Sequence, residues 1–483
     1  MLGAMTATGR DESALHRLPE LPTPAAGRTG SGWVEALACI AIAALSLLWA
    51  HEPTYDPTAW LVWGRELIHG DLVTLGGPSW KPLPVFFTTP FALFGSSVAP
   101  LLWLIVARAS GLYAVVLAYR LATRIAGPVA GVVATVALLL ESVFIYHFAR
   151  GNSEGLQTML ALLVVERHLD GHRRQAFWLC VAGGLLRPEA WPLLAGYGLW
   201  LIWVEWKERG ALPWGTVAIV VGSGIGLLLI WFVPEYVGSH NLLRAADRAA
   251  DPVAGSPGEA AFPFLATFTN AAGALLAPVY LGGFVAVGAA LAAGARRPGD
   301  KATLGIAAIS TAFMCSVALG AEVAFTGNQR YLVVAAALAC VVCGVGWAEL
   351  VVLARRRLSG RVFAAVACLA LLAVAPFVVG GVSRLRERLD GIHREAAYYS
   401  DLKTAIRAAG GPAAVLRCGT VYTTRYDTQA VAYDLHRHLF QVQIFPAVPG
   451  TVVAGHTTAL SRDPRFPHVL ARTVGWTVAS SCG

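Results

Sequence analysis

The sequence predicts an α-helical polytopic membrane protein with a small α/β domain after its last membrane span. The prediction rests on an apolar composition, a series of long apolar runs and a polar final segment. Of the 483 residues, 56% are hydrophobic and only 14% are charged, and the mean hydropathy is +0.59. Soluble domains carry about a quarter charged residues, and single cores stop growing near about 250–300 residues. A soluble globule, a disordered chain and a fibrous repeat are therefore excluded.

Apolar runs along the chain predict about eleven transmembrane helices. A helix needs about 20 mostly apolar residues to cross a hydrocarbon core about 30 Å thick. The predicted spans are 33–50, 99–119, 127–147, 154–166, 175–187, 190–205, 214–234, 270–294, 303–322, 331–353 and 362–382. Two further segments, 57–69 and 82–95, follow the first span. The first is amphipathic and the second is short and bounded by prolines, so we expect membrane-surface or re-entrant helices there.

The distribution of basic residues predicts the orientation in the membrane. If the N-terminus is cytoplasmic, seventeen of the 37 lysines and arginines fall in inner segments and seven in outer loops. Cytoplasmic loops of membrane proteins carry an excess of these residues. We therefore expect a multi-pass protein of the plasma membrane with a cytoplasmic N-terminus. The net charge of +8 reflects this orientation and does not indicate nucleic-acid binding.

Three regions follow from this topology. Residues 1–32 are polar and rich in proline and glycine, which predicts a disordered cytoplasmic tail. Residues 33–382 contain all the apolar runs and predict the transmembrane domain, whose first run serves as an uncleaved signal anchor. Residues 383–483 are polar enough to predict a soluble α/β domain outside the cytoplasm.

The eight cysteines fall into two groups. Six lie inside apolar segments, where small packing residues are expected. The other two, Cys418 and Cys482, lie in the terminal region, and an extracytoplasmic compartment permits a disulfide between them. We predict this bond, which would stabilise the domain by about 4 kcal/mol in the chain-entropy model. No metal site is predicted, because His436 and His438 lack a third ligand at metal spacing.

Acidic, basic and aromatic residues collect in the predicted outer loops, beside apolar helices. They are Asp56 and Lys81 in the first loop, Arg150, Asn152 and Glu154 in the second, Arg187, Glu189 and Trp191 in the third, and Arg330 and Tyr331 in the fifth. Folding does not require paired acids and bases at the outer surface of a membrane. Their convergence there indicates an anionic, lipid-linked substrate.

This layout resembles the GT-C superfamily of integral-membrane glycosyltransferases, which take sugars from polyprenyl-phosphate carriers. In that superfamily the first helix is followed by a long outer loop with an acidic residue near its start and two membrane-surface helices. Here these features correspond to Asp56, 57–69 and 82–95. The sequence Arg330-Tyr331-Leu332, at the start of a late helix, is similar to a recurrent arrangement in the same superfamily. The resemblance spans about residues 33–382.

The resemblance implies a GT-C-like fold and an inverting glycosyltransferase whose donor is a polyprenyl-phosphate-linked sugar. The acceptor would be a hydroxyl of an envelope glycan, glycolipid or protein, and no cofactor or metal is assigned. The chain is rich in Ala, Arg, Gly and Val and has only four lysines, which is typical of a GC-rich actinobacterium. Actinobacterial envelopes use decaprenyl-phosphate arabinose and mannose, so these two sugars are the expected ones.

Within this resemblance, Asp56 is the expected general base that accepts the proton of the acceptor hydroxyl. The competing interpretation is a helix N-cap, because Asp56-Pro57 is a favoured helix start. Arg330, Lys81 and Arg187 are the expected ligands of the donor phosphate. For Arg330 and Lys81 the alternative is extension toward lipid headgroups.

The remaining outer residues are expected to contact substrate. Glu154 is the second candidate for the base. The others are Arg150, Asn152, Glu189, Trp191 and Tyr331, of which Trp191 is an interfacial or sugar-stacking aromatic. A structural ion pair between Arg187 and Glu189 is the alternative to a substrate role for Glu189.

Two further expectations concern charge inside the membrane and the class of protein. Arg108 lies within a predicted span and needs a partner, for which Glu141 on the next helix is the candidate. A lipid or glycan transporter, or a flippase, is the main functional alternative, and a scaffold protein is the third. A transporter predicts ionisable groups near the bilayer midplane and internal pseudo-symmetry, whereas the charges here lie mainly at one end of the predicted helices.

Overall fold

The structure, a computed structural model, describes residues 31–250, 255–273, 275–323 and 325–482. The predicted disordered tail, residues 1–32, lies outside this part of the chain except for its last two residues, which begin the first helix. Helices dominate the chain as far as residue 408, and a small sheet follows them. This architecture agrees with the predicted fold class.

A helix or a broken pair of helices lies at each of the eleven predicted spans. The helices are α1 (Ser31–Leu45), α2 (Tyr55–His69), α3 (Pro82–Ala92), α4 (Ala99–Ala126), α5 (Pro128–Leu139), α6 (Ser142–Ala149), α7 (Glu154–Leu169), α8 (Arg173–Gly184), α9 (Trp191–Arg209), α10 (Trp214–Ser239), α11 (Arg244–Ala249), α12 (Pro263–Ala272), α13 (Ala277–Ala292), α14 (Pro298–Glu322), α15 (Val333–Arg357) and α16 (Gly360–Ala408). The two predicted surface helices correspond to α2 and α3.

Within the described residues, five helices are long and apolar enough to cross a membrane. They are α4, α10, α14, α15 and α16. The pair α5 and α6 forms a sixth span if it is counted as one helix with a bend of 65°. The number of complete spans therefore stays a prediction, because α7, α8, α9 and other helices at predicted spans are shorter or less apolar.

Helix α15 lies at the centre of the bundle and packs against α13, α5 and α4. Two glycines allow this close approach. A Cβ atom on Gly344 would lie 2.2 Å from the Ala130 carbonyl oxygen, and one on Gly346 would lie 1.8 Å from that of Gly282. Small residues at such contacts let helix backbones meet inside a membrane protein.

Helix α2 is buried by protein along the face that carries its tryptophans. Trp60 packs edge-on against Trp103 of α4, with ring centroids 5.4 Å apart. Trp63 packs against Trp80, which precedes α3, at the same centroid distance. These aromatic contacts fix α2 over the start of α4, which positions the first turn of α2 for the site described below.

Arg108 does not pair with Glu141, and that prediction is wrong. Its guanidinium donates hydrogen bonds to the carbonyl oxygens of Ser46, Ala50 and Ala149. The Ala149 carbonyl lies at the end of α6, where the last carbonyls have no partner within the helix. Glu141 instead caps α6, where its carboxylate accepts a hydrogen bond from the Phe144 amide.

Helix α16 continues into the terminal domain, where α17 (Pro412–Val415), α18 (Thr428–Asp434) and five strands follow. The strands are β1 (Thr420–Tyr422), β2 (Val442–Gln443), β3 (Gly450–Gly455), β4 (His468–Arg472) and β5 (Trp476–Ser480). Their order is β2-β1-β3-β5-β4. Strand β1 is parallel to β2 and β3, whereas β3, β5 and β4 pair antiparallel.

Two contacts tie this sheet together and to α16. Trp476 of β5 stacks on Tyr398 of α16 with ring centroids 4.5 Å apart, and its indole N–H donates to the Tyr398 carbonyl at 2.8 Å. The predicted disulfide between Cys418 and Cys482 is present, with the Cα atoms 5.7 Å apart. It joins the segment before β1 to the segment after β5.

Candidate functional site

Five charged residues from five separate segments meet in one buried group, which we call the charged cluster. They are Asp56 in the first turn of α2, Lys81 immediately before α3, Glu154 at the start of α7, Arg187 after α8, and Arg330 in the turn before α15. Exposed fractions of 2 to 8% for Glu154, Arg187, Asp56 and Lys81 mean that these charges are largely removed from water. All five are residues that the sequence predicted for the site.

Arg330 links the two acids of the charged cluster. Its Nη2 donates a hydrogen bond to Oδ2 of Asp56, and its Nε lies 3.0 Å from Oε1 of Glu154. The Lys81 ammonium lies 3.4 Å from the same Asp56 oxygen. Arg187 forms a hydrogen-bonded ion pair with Glu154. Lys81 and Arg330 thus both contact Asp56 inside the protein and do not extend toward lipid headgroups.

Asp56 is not a helix N-cap, so that alternative is wrong. Helix α2 begins at Tyr55, its N-cap is Thr54, and no side chain caps it. The Thr58 hydroxyl bonds back to the Thr54 carbonyl at 2.8 Å within this turn. Asp56 is the second residue of the helix, and its carboxylate is directed at the cations of the cluster. Its place in the first turn also suits a negative charge, because of the helix dipole.

The electrostatics of the charged cluster set the charge states of Asp56 and Lys81. Burial alone would raise the pKa of the Asp56 carboxyl, but the Arg330 guanidinium and the Lys81 ammonium hold it well below its usual range. Burial lowers the pKa of the Lys81 ammonium to about 8 although the Asp56 carboxylate opposes this shift. At neutral pH Asp56 is therefore ionised and Lys81 is mostly protonated.

Three cations face two carboxylates in the charged cluster. The carboxylate of Glu189 lies 3.9 Å from Arg187 Nη1, which places a third acid at its edge. Tyr331 packs against both guanidinium groups, with the central carbons of Arg187 and Arg330 4.9 and 5.4 Å from its ring centroid. Such cation–π contacts orient the guanidinium planes. A guanidinium in a fixed plane can bind a carboxylate or a phosphate through two parallel N–H donors.

Three predicted substrate contacts have partners in the surrounding scaffold. Arg150 forms an ion pair with Glu395 of α16, which lies 245 residues away in the chain. The Asn152 amide nitrogen lies 3.3 Å from Nδ1 of His147. The Trp191 indole donates to the Gly184 carbonyl at 3.0 Å and packs against Trp231. These contacts hold the three residues beside the charged cluster and not in it.

Buried polar atoms without a hydrogen-bond partner collect at the start of α7. Within the described residues they include Oε2 of Glu154, Oγ of Ser153 and Oε1 of Gln157, and Oε2 of Glu189 lies nearby in the same state. Buried polar groups normally have partners, so these atoms are free to bond to water or to a polar ligand. Ser153 and Gln157 were not predicted as site residues from the sequence. Gln157 lies three residues after Glu154 on one helix, and this spacing could have revealed it.

The residues that the structure describes contain no group of three or more His, Cys, Asp or Glu side chains placed to hold a metal ion. His438 is instead bonded to Glu66 at 2.8 Å, where it joins the terminal domain to α2.

Several solved structures resemble this one. ArnT from Cupriavidus metallidurans, in a structure bound to undecaprenyl phosphate, aligns over 95% of this chain and 99% of its own, with a TM-score of 0.57 and 15% identity. The apo state of the same protein covers 94% and 98%, with a TM-score of 0.52 and 15% identity. An oligosaccharyltransferase from Archaeoglobus fulgidus covers 87% of this chain and 69% of its own, with a TM-score of 0.50 and 12% identity.

No protein-family model matches the chain, and no curated protein matches it either. The likeness to solved structures therefore lies in the fold and extends over nearly the whole chain. At 12 to 15% identity it carries the architecture alone.

Proposed function

We propose that this chain, which has the fold of the GT-C superfamily of membrane glycosyltransferases, transfers a sugar from a polyprenyl-phosphate donor to an acceptor hydroxyl. The observation that carries the proposal is the charged cluster, in which Asp56 contacts two cations, Lys81 and Arg330. It offers an acid–base group and phosphate ligands in one place. We propose mannose or arabinose as the sugar and an envelope glycan, glycolipid or protein as the acceptor.

The reaction is a single displacement at the anomeric carbon. The acceptor oxygen forms a bond to that carbon while the bond from the carbon to the phosphate oxygen breaks. The polyprenyl monophosphate leaves with the electron pair, the acceptor proton passes to Asp56, and the configuration inverts. The protein has to stabilise the leaving phosphate and accept the proton, and these are the two capacities that the charged cluster combines.

Donor binding and activation of the base are coupled in this proposal. Arg330 and Lys81, with Arg187, bind the donor phosphate, and the same two cations hold down the pKa of Asp56 in the unliganded site. A phosphate that takes up their hydrogen bonds adds negative charge beside Asp56 and weakens that effect. The pKa of Asp56 rises as a result, so its carboxylate becomes a better base when the donor is present.

Glu154 and its neighbours are proposed to bind the sugar. Glu154 contacts Arg187 and Arg330, which supports a role in placing these cations and makes it the second candidate for the base. Its free oxygen, with Ser153 and Gln157, offers partners for sugar hydroxyls. The unpartnered oxygen of Glu189 supports a similar role. The Tyr331 ring packs against the guanidinium groups of both arginines.

Arg150, Asn152 and Trp191 are proposed to shape the wall of the substrate site. Their side chains already bond to other parts of the protein. We therefore propose that they shape the site by their position and do not bind substrate through free donors or acceptors. Arg150 and Asn152 lie just before Glu154 in the chain, and Trp191 lies just after Glu189.

We further propose that the reaction takes place at the outer face of the plasma membrane. The cytoplasmic N-terminus follows from the distribution of basic residues, and residues 383–483 then form a domain on the outer side. The Cys418–Cys482 disulfide supports this side, because disulfides persist in oxidising compartments. The predicted division into 1–32, 33–382 and 383–483 is part of the same proposal.

The test is incubation of the purified full-length protein with a panel of polyprenyl-phosphate sugars and envelope acceptors. We expect release of polyprenyl phosphate that depends on both the sugar and the acceptor. A transporter or flippase would move the lipid-linked sugar across a proteoliposome membrane and leave the phosphodiester intact. Movement without cleavage would therefore replace the transferase proposal with the transporter.

A further inference from the structure

The loop between α2 and α3 carries Lys81 at its end, and the neighbouring helices α10 and α11 hold this loop. The Thr74 amide donates to the Gly238 carbonyl of α10 at 3.0 Å. The Trp80 indole donates to the Ile230 carbonyl of α10 at 3.3 Å. The Ser79 hydroxyl donates to the Ala245 carbonyl of α11 at 2.9 Å. Lys81 follows directly after these anchored residues.

Arg244, at the start of α11, makes most of the remaining contacts. Its Nη2 donates to the carbonyl oxygens of Gly76 and Gly77 at 2.6 and 3.1 Å, and its Nη1 donates to that of Pro78 at 3.0 Å. One guanidinium thus binds three consecutive backbone carbonyls. Together with the side chains of Ser79 and Trp80, every residue from 76 to 80 has a hydrogen bond to α10 or α11.

Glu235 of α10 orients this guanidinium. Its Oε1 lies 3.4 Å from Arg244 Nη1, and its side chain is fully buried. Removal of a carboxylate from water is costly unless a cation compensates it. The ion pair between Arg244 and Glu235 is therefore more than a surface contact. It holds the Arg244 guanidinium in the orientation that binds the carbonyls of the loop.

The hydrogen bonds from Arg244 help to hold the loop in its conformation. Gly77 adopts a φ of +84°, which favours glycine, and a Cβ atom on Gly76 would lie 2.6 Å from the Phe440 amide nitrogen. A loop with two glycines is flexible in isolation. Its carbonyls need an external partner to direct the following Lys81 side chain at Asp56, 3.4 Å away.

We propose that Arg244, oriented by Glu235, is a positioning residue that holds Lys81 in place to bind the donor phosphate. This inference rests on the proposed function, because it takes Lys81 as a phosphate ligand. Arg244 acts through the loop and not through contact with the substrate. Its loss leaves the Lys81 ammonium present but displaced, and a misplacement of about 1 Å is enough to cost much of a site's efficiency.

The experiment measures binding of undecaprenyl phosphate to the full-length protein in detergent. Arg244→Gln is compared with Lys81→Met, with the double variant, and with Arg407→Gln as the control, because the exposed Arg407 bonds within its own helix. We expect Arg244→Gln to weaken binding on the order of tenfold and Arg407→Gln to leave it unchanged. In the Lys81→Met background, Arg244→Gln should cause no further loss.

A purely structural role gives a different pattern. If the losses of the two single variants multiply in the double variant, or if Arg244→Gln binds as the wild type does, the proposal is overturned. Arg244→Lys keeps the charge but not the fork, and Glu235→Gln keeps the shape but not the charge. Both should show part of the loss, so a poorly folded Arg244→Gln protein does not leave the proposal untested.

Hydrogen exchange separates this inference from the proposed function. In Arg244→Gln the amides of residues 74–83 should exchange faster, while those of α7 stay as in the wild type. Unchanged exchange in 74–83 would show that Arg244 does not hold the loop. Failure of the wild type to bind undecaprenyl phosphate would instead contradict the proposed function itself.

Discussion

At the scale of single residues, Asp56 contacts both Lys81 and Arg330, and the proposal gives these residues two different roles. The cations bind the phosphate, and Asp56 accepts the proton. If the cations bind phosphate and Asp56 accepts a proton, their substitution affects different steps. We expect Lys81→Met and Arg330→Gln to weaken binding of undecaprenyl phosphate on the order of tenfold or more, because each removes a charge-assisted contact. Asp56→Asn should bind at least as tightly as the wild type, since it removes a competing anion.

Titration calorimetry on the purified variants checks this difference. Asp71→Asn serves as the control, because Asp71 is an exposed acid in the same loop. Weaker binding in Asp56→Asn than in Lys81→Met would contradict the division of roles.

The pKa of Lys81 gives a second expectation at this scale. It is lowered to about 8, so the ammonium loses its proton as the pH rises through about 8, well below the usual range for lysine. The protonated form binds phosphate, and donor affinity should therefore fall as the pH rises from about 7 to about 9. In Lys81→Arg the guanidinium stays charged over this range. A fall of the same size in Lys81→Arg would assign the pH dependence to another group.

The members of the charged cluster could be predicted from the sequence, but the partners of other charged residues could not. The five residues of the charged cluster could be predicted because charged side chains at the outer ends of apolar helices are not needed for folding. The partner of Arg150 lies 245 residues away on α16, and no local pattern marks such a pair. Arg108 bonds to backbone carbonyls. Every residue has one, so the sequence does not show which of them Arg108 contacts.

At the scale of the elements, the glycines of α15 decide how closely the bundle packs. We expect Gly346→Ala to destabilise the protein by about 1–3 kcal/mol, as overpacking does, because its Cβ atom would lie 1.8 Å from the Gly282 carbonyl oxygen. Gly283→Ala is the matched control, since a Cβ atom there meets nothing within 4 Å. Thermal unfolding in detergent measures both. Equal unfolding temperatures would show that α13 and α15 do not approach as closely as described.

The terminal disulfide is a second test at the scale of the elements. In protein extracted from cells under alkylating conditions, Cys418 and Cys482 should resist a maleimide reagent until a reductant is added. Each single serine variant should expose one new thiol, and loss of the bond should destabilise the terminal domain by about 2–4 kcal/mol. Free thiols at both positions in the untreated protein would contradict the extracytoplasmic placement of residues 383–483.

Periodicity and apolar runs predict where the helices lie but not how the helices bend or what covers them. The runs located helices at all eleven predicted spans, because length and apolar composition alone mark a buried helix. They did not predict the bend of 65° between α5 and α6, where the Glu141 carboxylate caps the second helix. They also did not predict the protein partners that cover Trp60 and Trp63 of α2.

At the scale of the whole molecule, the fold explains why loops that are distant in sequence form one site. The ends of α2, α7, α8 and α15 meet beside the loop before α3, and each contributes one charged residue to the cluster. Composition predicted a membrane bundle, and the one-sided charge predicted which residues form the charged cluster. The closeness of the five residues required the packing of α15 against α4 and α7, which only the folded chain contains.

The transferase proposal is tested by comparing wild-type protein and Asp56→Asn in proteoliposomes that contain decaprenyl-phosphate mannose or arabinose and an envelope acceptor. The measured quantity is the rate at which decaprenyl phosphate is released. We expect acceptor-dependent release by the wild type and a loss on the order of 100-fold or more in Asp56→Asn, with donor binding retained. Release by Asp56→Asn at the wild-type rate, or none by the wild type with either donor, would contradict the proposal.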